Sequence, residues 1–382
     1  MDGTEDQVNG KVGGLLSIRR IARPEQADAC FFRSRAEPGR RKALLQITER
    51  CDLHCAHCFV AATRVGRDMD TELVSTVGVA RLQAARVANV TLTGGEPFAH
   101  PEVVEIATAI TAADMAVTIC TNAVSITTEQ IERLAKLGRV SVNVSLDGTT
   151  PESHGRFRGD RDSFEATLQH TRELGAAGLL KGILSTPNAL ASPDEYVQLH
   201  VLARELGAEY LLMNPLSSFG RGVFSFSRLR ATDDAMKEIE TQITSAAQPT
   251  DPEAVFIRFP NETKPLTSCI AGEVVYVFVD GDTAICPYLV FAARTPKSKH
   301  KPEEFIAANL FRDPEFDRRL DEDDFHTRYQ PGSNSTCAPC SLNGACGKGC
   351  PAAVIASGAK LGEVDTEVCP VASSVDQPAA VS

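Results

Sequence analysis

The chain has 382 residues, 43% of them hydrophobic and 23% charged, a balance that excludes a mini-protein or a largely disordered chain and leads us to expect two or three folded units. Asp and Glu outnumber Lys and Arg by 50 to 39, for a formal charge of −11, which disfavours sequence-independent binding to a phosphate backbone; no nucleic-acid partner is expected. No run of about 18 apolar residues occurs, and the opening MDGTEDQVNGKVGG lacks a secretory pattern, so a cytoplasmic protein with no membrane partner is expected and its 12 cysteines point to metal or redox chemistry rather than disulfides.

Residues 1–42 read as an N-terminal extension whose first 14 residues, small and polar, should be mobile. From about 43 to 246, strand-like runs at 43–49, 88–94, 115–122, 139–148, 179–186 and 208–218 alternate with helix-like stretches at 70–86, 101–113, 127–137, 162–176 and 193–206, several opened by Ser, Thr or Asp. Such βα units imply a parallel sheet, because parallel neighbours need a helical crossover. Six units are too few for a complete eight-stranded barrel. The expected fold is therefore α/β, a partial (β/α)6 barrel of the TIM type with chemistry at the C-terminal strand ends, although periodicity alone also describes a doubly wound sheet. Residues 247–262, beginning near QPTDPEA, read as a linker, and VVYVFVDGDTAIC as a hairpin turning at Asp280, Gly281 and Asp282. The segment 331–350 is too rich in Gly, Pro and Ser to build an apolar core unaided, which a metal centre would remedy. Residues 263–370 thus form a second, cysteine-rich domain, and 371–382 a flexible tail.

Cys51, Cys55 and Cys58 follow the first strand as CDLHCAHC. Three thiolates can hold three irons of a [4Fe-4S] cluster and leave the fourth open; zinc completed by His54 or His57 is the bland alternative. The second strand ends in Thr93-Gly94-Gly95-Glu96-Pro97, where the glycines permit close approach of a ligand and Glu96 can accept from an ammonium group.

With CxxxCxxC and GGEP one βα unit apart, the chain resembles the radical S-adenosylmethionine (radical SAM) enzymes over nearly all of 43–370. The resemblance implies that Cys51, Cys55 and Cys58 hold a cluster whose open iron is chelated by S-adenosylmethionine. It implies too that Gly94, Gly95 and Glu96 contact the methionyl amine, and that reductive cleavage of the cofactor yields a 5′-deoxyadenosyl radical that abstracts a substrate hydrogen. SLDG at 145–148 with the downstream HGRFRG resembles the family's carboxylate-binding element, giving Ser145 and Arg158, with Arg156 as the alternative register. His57 stands where the family often has an aromatic residue that packs on adenine.

The remaining pattern, C-x11-G-x4-C, a gap, C-x2-C-x5-C-x3-C, a gap and a final C, resembles the SPASM extension of that family. A four-cysteine zinc ribbon with spare thiols is the alternative, but seven ligands suit two clusters better. The resemblance implies two auxiliary [4Fe-4S] clusters, three in all. Cys337, Cys340, Cys346 and Cys369 would hold the distal one, and Cys269, Cys286 and Cys350 the nearer one, with one iron lacking a cysteine. Cys120 reads as a core residue and Cys30 as an incidental thiol. Pro287 replaces the Asp that follows the equivalent of Cys286 in sulfatase-maturing relatives, leaving Tyr288 as a weak base or radical-relay candidate. Phe219-Gly220-Arg221-Gly222, just past the sixth strand, reads as a substrate-contacting loop or a plain turn.

The expected function is radical modification of a ribosomally made peptide by cross-linking, epimerisation or oxidation, with oxidation or epimerisation of a small-molecule sugar or nucleoside as the alternative. The expected partners are the substrate, a low-potential electron donor such as flavodoxin or ferredoxin, and a separate leader-peptide-binding protein.

Overall fold

The computed structural model describes residues 26–32 and 36–372; the expectations of mobility for 1–14 and for most of the tail lie outside them. Ten strands form one sheet in the order β10-β9-β8-β1-β2-β3-β4-β5-β6-β7. The six expected strands are β1 (Arg41–Thr48), β2 (Val87–Gly94), β3 (Ala116–Thr121), β4 (Val140–Ser145), β5 (Leu180–Ser185) and β6 (Tyr210–Met213). Each pairs in parallel with the next, and the sheet stays open, giving the partial barrel. Alternate residues such as Val90, Leu92, Val117, Ile119, Val142 and Val144 bury against the surrounding helices, the two-residue period expected of a strand with one face on an apolar layer.

The crossover helices start where the sequence places caps. Thr127 closes a capping box with Gln130 before Thr128–Ala135, and Ser192 accepts from Glu195 N before Pro193–Glu205. The first crossover runs over 71–84 with Val74–Gly78 wound as a π-turn.

Two boundaries differ from expectation. Residues 247–262 are not a linker throughout, because β7 (Glu253–Phe256) lies within them and extends the parallel sheet beside β6; Val255 and Ile257 are fully buried, an apolar alternation hidden behind the Pro- and Asp-rich lead-in. The hairpin forms from β8 (Val274–Val277) and β9 (Asp282–Ala284), with Gly281 at φ 86°, and β10 (Ile306–Asn309) pairs antiparallel with β9. It does not stand apart. β8 pairs in parallel with β1 through Lys42↔Val274 to Leu45↔Val277, so the cysteine-rich region grows directly from the barrel sheet. The described part of the N-terminal extension also joins it: Ala27 N donates to Pro265 O, and Thr267 N to Ala27 O, each at 2.9 Å.

Candidate active site and thiol pockets

The cysteine triad begins three residues beyond β1, at the C-terminal edge of the sheet. Its loop is tied down by backbone contacts. Cys51 N donates to Thr63 O at 2.7 Å, Ala56 N to Phe157 O at 2.9 Å, and Arg221 N to Cys58 O at 2.9 Å. Arg221 adds Nε to Cys55 O at 2.8 Å and Nη1 to Ala62 O at 2.6 Å. A Cβ on Gly220 would lie 2.4 Å from Cys58 O. Phe219-Gly220-Arg221 therefore clamps the cysteine loop, a role set by a long-range contact that no local pattern announces.

Cys51 and Cys55 are buried and Cys58 half-buried. Burial pushes the Cys51 and Cys55 thiols up, so their ionised forms need nearby positive charge. Arg158 supplies some, with Nη1 3.8 Å from Cys55 Sγ. Its Nε donates to Asp147 at 2.6 Å, and Asp147 also accepts from Thr186 N at 2.6 Å. Burial opposes the charge on Asp147, yet the Arg158 guanidinium and that amide hold it below the usual carboxylate range. Arg156 is exposed, while Arg158 is 8% exposed and beside the triad; Ser145 is half-buried at the end of β4.

Glu96 sits 1% exposed at the end of β2. It accepts from Thr121 Oγ1 at 2.6 Å, Asn122 N at 2.7 Å and Phe98 N at 3.1 Å. Burial nevertheless pushes it up to about 7, so the pocket favours a cation beside it. Gly94 and Gly95 also meet a packing demand. Their Cβ atoms would lie 2.3 Å from Thr48 O and 2.1 Å from Arg50 O, because β2 runs hard against the chain leaving β1; Gly95 N donates to Thr48 O and Glu96 N to Arg50 O. The glycines thus bring Glu96 against the start of the cysteine loop. Asn122 completes this side, with Nδ2 2.7 Å from Asp52 and 3.9 Å from Cys51 Sγ; Asn122 carries no signal beyond its place at a strand end, and Asp147 lies within the SLDG element without being singled out there.

His57 stacks on Phe157 with ring centroids 4.4 Å apart. Burial drives its pKa down to about 3, so the ring is neutral, and its Nδ1 has no hydrogen-bond partner. Cys120, expected in the core, is half-buried, pairing with Asn143 across the β3–β4 ladder.

The other thiols gather in two pockets. Cys337, Cys340, Cys346 and Cys369 line one. Cys269, Cys286 and Cys350 line another, together with Tyr288 and, unforeseen, Cys30. Among the described residues no three His, Cys, Asp or Glu side chains converge to hold a single metal ion. Thiols that share a pocket without closing on one point fit a polynuclear iron–sulfur group better than one tetrahedral zinc. Tyr288 lies between the triad and the second pocket. It stacks on Phe31 at 4.5 Å and approaches Phe59, Phe219 and Phe291 at 5.7, 5.9 and 6.4 Å. Burial raises its pKa, so the phenol keeps its proton.

A model of the Radical SAM superfamily matches residues 45–198. The mycofactocin maturase MftC of Mycolicibacterium smegmatis is 27% identical over 330 residues, covering 84% of this chain and 81% of MftC. The antilisterial bacteriocin subtilosin biosynthesis protein AlbA of Bacillus subtilis is 25% identical over 285 residues, covering 71% of this chain and 57% of AlbA. Among solved structures, Streptococcus suis SuiB bound to precursor peptide SuiA shares the fold, with a TM-score of 0.65 at 18% identity over 83% of this chain and 73% of SuiB. No helix among the described residues is long and apolar enough to cross a membrane. The cysteine triad and the strand-end carboxylate thus fall within the matched span, and that part of the molecule is a radical SAM domain.

Proposed function

We propose that the chain is a radical SAM maturase that modifies a peptide, working with three [4Fe-4S] clusters. Cys51, Cys55 and Cys58 hold the first, and Cys337, Cys340, Cys346 and Cys369 the distal auxiliary one. Cys269, Cys286 and Cys350 serve the nearer auxiliary one. When bound, the first cluster and S-adenosylmethionine supply a carbon radical able to take hydrogen from an unactivated C–H bond. The residues around it bind and orient. Glu96 would accept an N–H from the cofactor's amino group, gaining a donor for its buried carboxylate. Arg158, with Ser145 nearby, faces the cofactor's carboxylate from beside Cys55, while Asp147 fixes the guanidinium. The neutral His57 ring, backed by Phe157, offers a flat face for adenine.

The observation that carries this reading is the placement of three buried or half-buried thiols on one loop beside a buried carboxylate at the neighbouring strand end, in a chain that also lines two further pockets with cysteine. Peptide as the substrate class is supported by the maturase and bacteriocin-biosynthesis relatives. Electrons would come from flavodoxin or ferredoxin in the cytoplasm, and a separate protein would hold the leader of the precursor. The test is anaerobic incubation of the reduced, cluster-loaded protein with S-adenosylmethionine and candidate deuterated precursor peptides. The expected result is release of methionine and deuterium-bearing 5′-deoxyadenosine with a mass change in the peptide, all lost in Cys51→Ala. Turnover confined to sugars or nucleosides would replace the peptide reading, and no nucleoside product from a loaded protein would overturn the proposal.

A further inference from the structure

The nearer auxiliary pocket contains one more thiol than the C-terminal cysteine pattern supplies. Cys30 lies about 240 residues earlier in the chain, yet lines the same cavity as Cys269, Cys286 and Cys350. Cys30 Sγ donates to Ser268 O at 3.3 Å, next to Cys269.

Its placement is built rather than incidental. Ala29 N donates to Thr267 Oγ1 at 2.9 Å, and Arg258 N to Asp28 O at 2.7 Å. Arg258 Nη1 donates to Ala29 O at 2.7 Å, and its guanidinium lies 4.8 Å from the centroid of the Phe31 ring. The same arginine pairs with Asp365 at 2.7 Å, both side chains fully buried, and Asp365 in turn accepts from Cys350 N at 2.9 Å. One buried ion pair therefore fixes the backbone of both Cys30 and Cys350. A buried pair of this kind contributes little net stability, but it sets the relative position of two thiols from opposite ends of the chain.

We propose that Cys30 is the fourth protein ligand of the nearer auxiliary cluster, so that every iron of that cluster carries a cysteine. The proposal rests on the reading that Cys269, Cys286 and Cys350 hold a [4Fe-4S] group. On binding, an Fe–S bond forms at the fourth iron, the thiol proton of Cys30 passes to solvent, and the water or hydroxide otherwise on that iron leaves; no electron is transferred. The open iron expected from the C-terminal pattern disappears, and with it direct substrate binding at this cluster. The cluster becomes an electron carrier, and residues 26–32 become part of its wall.

The test uses the full chain with Cys51, Cys55 and Cys58 replaced by Ala, which leaves only the auxiliary clusters, about eight irons per chain. In this background Cys30→Ala and Cys30→Ser are compared with the parent by iron and sulfide content, electron paramagnetic resonance of the reduced protein, and midpoint potentials. The signal of the distal cluster reports that each variant has folded. We expect one of the two signals to shift in g-values and potential in Cys30→Ser and to be lost or to bind added cyanide in Cys30→Ala, while the parent's clusters ignore cyanide and the distal signal persists. Two unchanged signals in both variants, or cyanide binding by the parent, would overturn the assignment of Cys30 alone. A parent holding only about four irons would remove the nearer cluster itself, and the broader reading with it. Loss of every signal in both variants also counts against the assignment, because the distal thiols do not include Cys30.

Discussion

Glu96 gives the sharpest handle on the cofactor site. Its pKa is pushed from an ordinary 4.5 to about 7 by complete burial, against three hydrogen bonds that favour the ionised form. In the free protein the folded state binds more protons than the unfolded one between those values, so stability falls as pH rises across that window, by about 3 kcal/mol at 1.36 kcal/mol per unit. An amine N–H delivered by S-adenosylmethionine reverses the preference, because it donates best to the ionised carboxylate. With a midpoint near 7, the ionised fraction drops about tenfold from pH 8 to pH 6, and cofactor affinity should drop with it. Anaerobic equilibrium dialysis of the unreduced, cluster-loaded protein across this range measures the slope. Glu96→Gln keeps the shape, removes the charge, and should bind at pH 8 roughly 10- to 150-fold more weakly, the loss of a hydrogen bond to a charged group. Any pH dependence left in Glu96→Gln belongs to the cofactor's own amine. Identical slopes in the two proteins, or an unchanged affinity in the variant, would refute the placement of the amine at Glu96.

Removing the Arg258 side chain in Arg258→Met strands the fully buried Asp365 and should cost roughly 3–5 kcal/mol, read as a lowered midpoint in anaerobic thermal unfolding. Gly95→Ala drives a methyl to 2.1 Å from Arg50 O; the chain must shift at a cost of roughly 1–3 kcal/mol, and iron loading at the Cys51 triad should fall while the auxiliary clusters remain. Tyr288→Phe deletes only a hydroxyl from a ring that already packs on Phe31. If Tyr288 only packs, stability and peptide turnover stay as in the wild type, whereas a selective fall in turnover with the fold intact would establish a relay through the phenol.

What the sequence reveals here is what short-range physics writes into it. Strand alternation at Val90 and Leu92 or Val142 and Val144, a capping box at Thr127 and Gln130, and ligand spacing at Cys51, Cys55 and Cys58 all act over a few residues, and each is legible. Contacts made across the chain are not. Cys30 reads as a stray thiol because Arg258, more than 200 residues away, sets its position. Gly94 and Gly95 read as ligand-contacting, and nothing near them in the sequence shows that their lack of side chains also admits the backbone leaving β1. The apolar residues of β7 pass for a linker because the sheet edge waiting for them at β6 is invisible from their own neighbourhood. Arg158 and Arg156 differ only by burial, which spacing does not record.

The parallel pairing of β8 with β1 has a mechanical meaning. Four residue pairs weld the first strand of the barrel to the hairpin that leads into the nearer thiol pocket, and prising them apart breaks several backbone hydrogen bonds at once, each worth about 1 kcal/mol net. The two halves therefore do not swing on a hinge at this seam. The separation between the cysteine triad and the nearer thiol pocket is set when the chain folds, and the sheet stays unzipped between its two edge strands, β7 and β10.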